Sequence, residues 1–244
     1  MTDEDLRRTT YYGDRPTSSQ PRPERAGERA DRRSESAPEP LKVAVIYYSA
    51  TGSVHELAQS VAQGARDAGG SVRVVRVRET APPEAIEANA QWRAHLRDTH
   101  AVPIASLGDV EAADVLVLGS PTRFGHVSSQ LQAFIDTWGP LWGDNAFADK
   151  VFAAFTSSAT RHGGQETTLM SIYTTVCHLG GIIVPPGYTD PAQFATGNPY
   201  GASSTSDNGQ RPPTEEDLRG AWVTGHRAVR VARELAAGRR VLGA

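Results

Sequence analysis

The chain holds a single cysteine, Cys177, and two methionines among 244 residues. One thiol excludes an internal disulfide framework and suits a reducing compartment. Cys177 is expected to be a small buried residue without a redox part. No apolar run approaches the roughly 20 residues that span a bilayer, and the first residues lack a charged-then-apolar secretory pattern. The expectation is therefore a cytoplasmic protein with no membrane partner. Neither sign of charge dominates. Against 28 Asp and Glu stand 25 Lys and Arg, for a formal charge of −3 and a pI near 6.2. That leaves no electrostatic case for nucleic acid or anionic lipid. Ligand-spaced clusters of His, Cys and carboxylate are missing too, so no metal is expected.

Apolar residues are scarcest over residues 1–40, where Arg, Glu, Asp, Ser and Pro prevail and acids nearly balance bases. Such a segment cannot offset its ordering entropy. It is expected to be a disordered mixed-charge tail before one folded domain, residues 41–244.

What is present from Lys42 onward is an alternation of strands and helices. The pattern predicts a buried strand over 42–48, then a helix over 53–68 closed by Gly69-Gly70. A second strand covers 72–77, its valines alternating with arginines as on a sheet edge. Residues 80–110 have no clear core period and read as an insertion or lid. Further strands are expected over 114–119 and 151–156, with helices over 128–137 and through about His178. A last strand, Ile182 to Val184, is stopped by Pro185-Pro186. The Gly/Pro/Ser/Asn-rich stretch 187–213 is too long for a plain connector. Thr214 then caps a helix that runs to about Ala237, with acids in its first turn. This order implies an α/β fold, a parallel sheet covered by helices on both faces.

In such sheets ligands bind outside the carboxyl ends of the strands. Three of those ends are rich in small polar residues. After the first strand come Ser49, Ala50, Thr51, Gly52, Ser53 and Val54. The spacing G-x-G-x-x-G is absent, and so is the lysine of a nucleoside-triphosphate loop. The stretch reads either as a flavodoxin-like grip on the FMN monophosphate or as an ordinary capped turn. After the third strand, Ser120-Pro121-Thr122-Arg123-Phe124-Gly125 offers a bend, backbone amides and an aromatic face for a planar ring. After the fourth, Ser157, Ser158, Ala159, Thr160, Arg161 and Gly163 supply groups suited to negative charge on a reduced isoalloxazine. Trp142 reads as pocket or as packing, His178 as a ligand or as a dipole-paired histidine at a helix end, and Arg123 as functional or as a surface ion pair.

Pro121-Thr122-Arg123-Phe124-Gly125 with Gln130 and Phe134-Ile135-Asp136 resembles the WrbA family of NAD(P)H:quinone oxidoreductases. So do Leu141-Trp142, Gly163 to Thr167, Thr174-Thr175 with His178, Ile183-Val184-Pro185, Gly187-Tyr188 and Pro199 to Ala202. The resemblance spans roughly 42–238. It implies a flavodoxin-like fold with a five-stranded parallel sheet of order 2-1-3-4-5 and bound FMN. It also implies two-electron, ping-pong reduction of quinones with NADH or NADPH as donor. A homotetramer or homodimer follows, with flavin pockets at subunit contacts. By position, the phosphate loop falls on Ser49 to Val54 and the ring-binding segment on Pro121 to Gly125. The second flavin loop falls on Ser157 to Arg161 with Gly163. The flavin-pocket histidine falls on His178, and the aromatic near the substrate on Trp142, beside Phe124 and Thr51. Two positions depart from the pattern. Thr51 replaces a usual tyrosine that helps place the nicotinamide. The loop 157–164 is one residue longer, with Arg161-His162 where glycines are common. A reductase of a specialised substrate, a one-electron carrier and a flavin-free binding module are the competing readings.

Overall fold

The computed structural model describes residues 39–243, so the tail expected over 1–40 lies outside the described residues except for Glu39 and Pro40. In chain order the elements are β1 (Lys42–Tyr47), α1 (Ser53–Asp67), β2 (Ser71–Arg76), α2 (Pro83–Glu87), α3 (Ala90–Asp98), α4 (Leu107–Ala112), β3 (Val115–Pro121), α5 (Ser129–Asp136), α6 (Gly139–Gly143), β4 (Val151–Ser158), α7 (Gln165–Leu179), β5 (Ile182–Ile183), α8 (Ala192–Thr196), β6 (Ala202–Thr205) and α9 (Glu215–Leu242). The strands pair in parallel in the order β2-β1-β3-β4-β5, with β6 also on β4. Among the described residues no helix is long and apolar enough to cross a membrane.

The central strands are apolar up to their carboxyl ends because each feeds two cores. In β1, Val43, Val45 and Tyr47 face one core, where α1 contributes Leu57 and Val61 and α9 contributes Ala228 and Val229. Ala44 and Ile46 face the other, where α5 contributes Leu131 and α7 contributes Leu169, Ile172 and Val176. β2 sits at the edge as expected, with Val75 its one buried residue and Arg73 exposed.

Three sequence expectations are revised. The excursion 187–213 is not wholly irregular, for it contains α8 and β6. β5 pairs only with Val151 and Phe152 of β4. Pro185-Pro186 have no N–H groups to continue that ladder, and β6 resumes it beside Phe155 to Ser158. The same pairing draws Ser157 and Ser158 into β4, which extends past the expected end at 156. Cys177 is exposed, not buried. α7 buries Leu169, Ile172, Tyr173 and Val176, and position 177 turns about 100° away from that stripe.

α1 and α9 cross where both carry glycine. A Cβ on Gly64 would lie 2.0 Å from the Trp222 carbonyl oxygen, and one on Gly225 2.0 Å from that of Val61. Neither backbone can yield without parting the helices. Gly225→Ala should therefore cost about 3 kcal/mol by overpacking. Urea unfolding checks this: a lower midpoint with unchanged slope is expected, and an unchanged midpoint would mean the crossing tolerates a methyl group.

Candidate functional site

One cleft of about 560 Å³ opens at the carboxyl edge of the sheet, between the loops that follow β1, β3 and β4. The first loop contributes Ser49, Ala50, Thr51, Ser53 and Val54. The turn is made by Gly52, whose φ of 112° strains any residue with a Cβ. Its amide donates to Ser49 Oγ at 3.1 Å. Gly52 is also the N-cap of α1, and no side chain caps that helix. The amides of the first turn are thus left for an acceptor, and the helix dipole favours an anion there. Three hydroxyls beside uncapped amides are the donor set that a phosphate monoester needs. The residues present therefore fit the FMN phosphate.

Pro121, Thr122, Arg123 and Phe124 come from the second loop. Arg123 and His126 exchange backbone hydrogen bonds at 2.8 and 3.0 Å, which pinches Phe124 and Gly125 into a tight turn with φ of 53° and 84°. An aromatic residue in the left-handed region, with its ring fully exposed, is held at a cost that ordinary loops avoid. Thr122 anchors the turn: its Oγ1 accepts from the Gly125 amide at 3.1 Å and from the buried Thr168 hydroxyl at 2.8 Å. The third loop brings Ser157, Ser158, Ala159, Thr160 and Gly163. Gln165 pins it, donating to the carbonyls of Thr160 and Arg161, both at 3.1 Å, and accepting from the Gly163 amide at 3.0 Å.

Behind the cleft, one carboxylate ties three elements together. Glu79 accepts from Tyr48 Oη at 2.8 Å, Trp92 Nε1 at 3.0 Å, Gln130 Nε2 at 3.0 Å and the amides of Thr80 and Ala81. Burial works to raise the Glu79 pKa, but the Ala81 amide and the donors of Tyr48, Gln130 and Trp92 outweigh it and hold the carboxyl below its usual range. Tyr48 is driven the other way, by burial and by its bond to that carboxylate.

A second buried group lies under the first loop. Tyr47 Oη is 2.5 Å from His55 Nδ1, and the His55 and His95 rings are 5.5 Å apart. Burial pushes the His95 imidazole from 6.5 down to about 4, with His55 and Arg76 adding to the shift and Asp98 opposing it. Burial lowers His55 as well.

Of the residues singled out in the sequence, Gly52 and Gly125 make the turns of their loops, and the others named above line the cleft. Arg161 does not; it lines a neighbouring cleft. Trp142 and His178 also lie apart. The Trp142 indole donates to the His178 carbonyl at 3.3 Å, and both residues are exposed, Trp142 by 60%. His178 sits in the last turn of α7, about 20 Å along the helix from the Gln165 end that faces the cleft. The cleft has four further lining residues, Asn89, Ser206, Asn208 and Gly209. The Asp-Asn-Gly run at 207–209 was the one available signal, since such a turn inside a long excursion brings unusual backbone.

The family described as NADPH-dependent FMN reductase matches residues 41–194. A protein of Deinococcus radiodurans named NAD(P)H dehydrogenase (quinone) is 48% identical over 179 residues, which are 73% of this chain and 88% of that protein. One of the same name from Azorhizobium caulinodans is 45% identical over 200 residues, 80% of this chain and 98% of that one. Among solved structures, a WrbA-like flavodoxin from Agrobacterium tumefaciens shares the fold with a TM-score of 0.57 at 24% identity, covering 80% of this chain and 98% of its own. An archaeal flavodoxin does so with a TM-score of 0.52 at 17% identity, covering 79% and 99%.

The neutral His95 makes stability depend on pH. Its folded pKa is depressed, so its contribution is present above 6.5 and is lost as pH falls toward about 4. The melting temperature should fall across that window, and His95→Gln should flatten the decline. An unchanged slope in the variant would remove His95 as its source.

Proposed function

Because the chain belongs to the NADPH-dependent FMN reductase family, we propose that it is an FMN-dependent NAD(P)H:quinone oxidoreductase of the cytoplasm. The observation that carries this reading is the single cleft in which the uncapped start of α1 meets the exposed Phe124 turn and the pinned third loop. When bound, FMN supplies the two-electron chemistry between nicotinamide and quinone. The chain's share is to bind, orient and screen. Ser49, Thr51 and Ser53, with the amides of α1, hold the phosphate. Thr122, Arg123 and Phe124 form the ring's floor and shield it from water. The backbone of Ser157 to Thr160, on the cleft wall, would offer hydrogen bonds to the flavin ring system.

Trp142 and His178 enter the reaction in this reading from a second copy of the chain. Their own cleft is out of reach, and a homotetramer or homodimer would lay the exposed pair over a neighbour's flavin. There Trp142 stacks on the quinone, and the His178 imidazole donates a hydrogen bond to a quinone oxygen. Residues 41–244 form the catalytic unit, and residues 1–40 take no part in turnover.

An anaerobic titration of the FMN-loaded protein tests the activity. Bleaching by NADH or NADPH and recovery on adding a benzoquinone are expected; no bleaching by either donor would shift the reading to an electron carrier. Trp142→Ala should leave FMN bound and raise the quinone KM by up to about tenfold. Unchanged kinetics, or a monomer by light scattering, would remove the pair from the active site.

A further inference from the structure

A second cleft, of about 750 Å³, adjoins the first across the third loop. Ala159 and Thr160 line both cavities. The far wall is built from β6 and the start of α9, with Thr205, Asp207, Arg211 and Asp217. Arg161 and His162, the two residues of the lengthened loop, line this second cavity and not the first. They are there because Gln165 fixes the loop's backbone from the inside, which leaves both side chains exposed on its outer flank.

The chemistry of this cavity differs from that of the flavin cleft. Arg211 is held in place, its Nε and Nη2 donating to the Thr205 carbonyl at 3.0 and 2.8 Å. That leaves the Nη1 edge of a fixed guanidinium for an anion. Arg161 and His162 provide further donors on the opposite wall. Asp207, at φ of 48° in the turn after β6, and Glu166, in the first turn of α7, add carboxylates that accept from hydroxyl groups. Cations across from one another and acceptors between them match a pyrophosphate flanked by ribose. A cavity on the other side of the flavin cleft, beside Trp92, Arg123 and Gln130, has no carboxylate among its lining residues.

A nicotinamide dinucleotide that sets its nicotinamide on the flavin must lay the rest of its length beside that site. On the reductase reading above, we infer that the second cleft is the subsite for the adenosine diphosphate half of the hydride donor, with Arg161, His162 and Arg211 on its phosphates and Asp207 and Glu166 on its ribose hydroxyls. The third loop is then a binding device, because it adds a guanidinium and an imidazole as donors where glycines would offer none.

The test uses the FMN-loaded full chain with NADH, NADPH, reduced nicotinamide mononucleotide and ADP-ribose. His162→Glu puts a carboxylate at an exposed position that makes no structural bond. Arg211→Gln removes the charge and keeps an amide to meet Thr205. Each should raise the KM for NADH and NADPH about tenfold, the loss of one charge-assisted bond. The KM for reduced nicotinamide mononucleotide, which lacks the adenylate, should stay within about twofold. ADP-ribose, followed by calorimetry, should compete with NADH and lose affinity by the same factor in both variants. Equal shifts for full and truncated donors, or ADP-ribose binding that neither variant alters, would overturn the assignment. If no donor bleaches the flavin of the unaltered chain, the reductase reading fails and takes the inference with it.

Discussion

The amides at the start of α1 have no side-chain cap among the described residues, and the architecture around them follows from where they are held. β1 is buried on both faces and delivers the chain to the carboxyl edge of the sheet. Gly52 at φ 112° then turns it so that α1 begins with its first amides uncapped. A helix start of that kind is an anion site only if it cannot relax away from the ligand. The glycine crossing with α9 prevents that relaxation. Backbone meets backbone at Gly64 and Gly225, so α1 cannot slide or tilt without opening the core that Leu57, Val61 and Val229 share. A stability device some distance from the cleft thus fixes the orientation of the donors within it.

The polar edge of the sheet is organised by the same demand that buried donors find acceptors. Thr156 Oγ1 donates to the Ser120 carbonyl at 2.7 Å, the Ser128 amide to Ser120 Oγ at 2.8 Å, and Ser204 Oγ to Ser157 Oγ at 2.9 Å. The Ser157 and Ser204 hydroxyls are occupied by one another, and those of Thr156 and Ser120 by backbone groups, so the edge is held by its own bonds. Glu79 does the equivalent for the back wall. It gathers donors from Tyr48, just after β1, and from α3 and α5 onto one carboxylate.

Much of this was legible in the residues. The step from Val43–Tyr48 into a hydroxyl-rich turn and then an apolar helical stripe gave β1, its loop and α1 nearly to the residue. Three such loops in one alternating chain implied one edge and one site. The parts that were hidden share a cause, namely partners distant in sequence. Glu79, beyond the end of the edge strand, carries no sequence signal of its role until Trp92 and Gln130 are brought to it. His55 and His95 are 40 positions apart and meet only because α3 packs under the first loop. β6 was missed because Ala202 to Thr205 has no apolar stripe; it is a strand only because β4 offers an open ladder after Pro185. Trp142 and His178 were matched to a pocket by their motifs, but in the folded chain they meet each other and do not line the cleft.

The two departures from the WrbA pattern become one structural change when their neighbours are considered. A Cβ on Gly209 would lie 3.0 Å from Thr51 Oγ1, and the Gly209 carbonyl accepts from Gln91 Nε2 at 3.2 Å. The turn 207–209 therefore closes against Thr51 and α3. Ser206 reinforces the closure, its amide donating to the Ser158 carbonyl at 2.7 Å. With that side filled, the wall toward the donor is formed by the excursion and by the lengthened third loop, which stands between the two clefts. On the proposed subsite, the donor's phosphates would meet Arg211, a guanidinium fixed by the Thr205 carbonyl and suited to an anion.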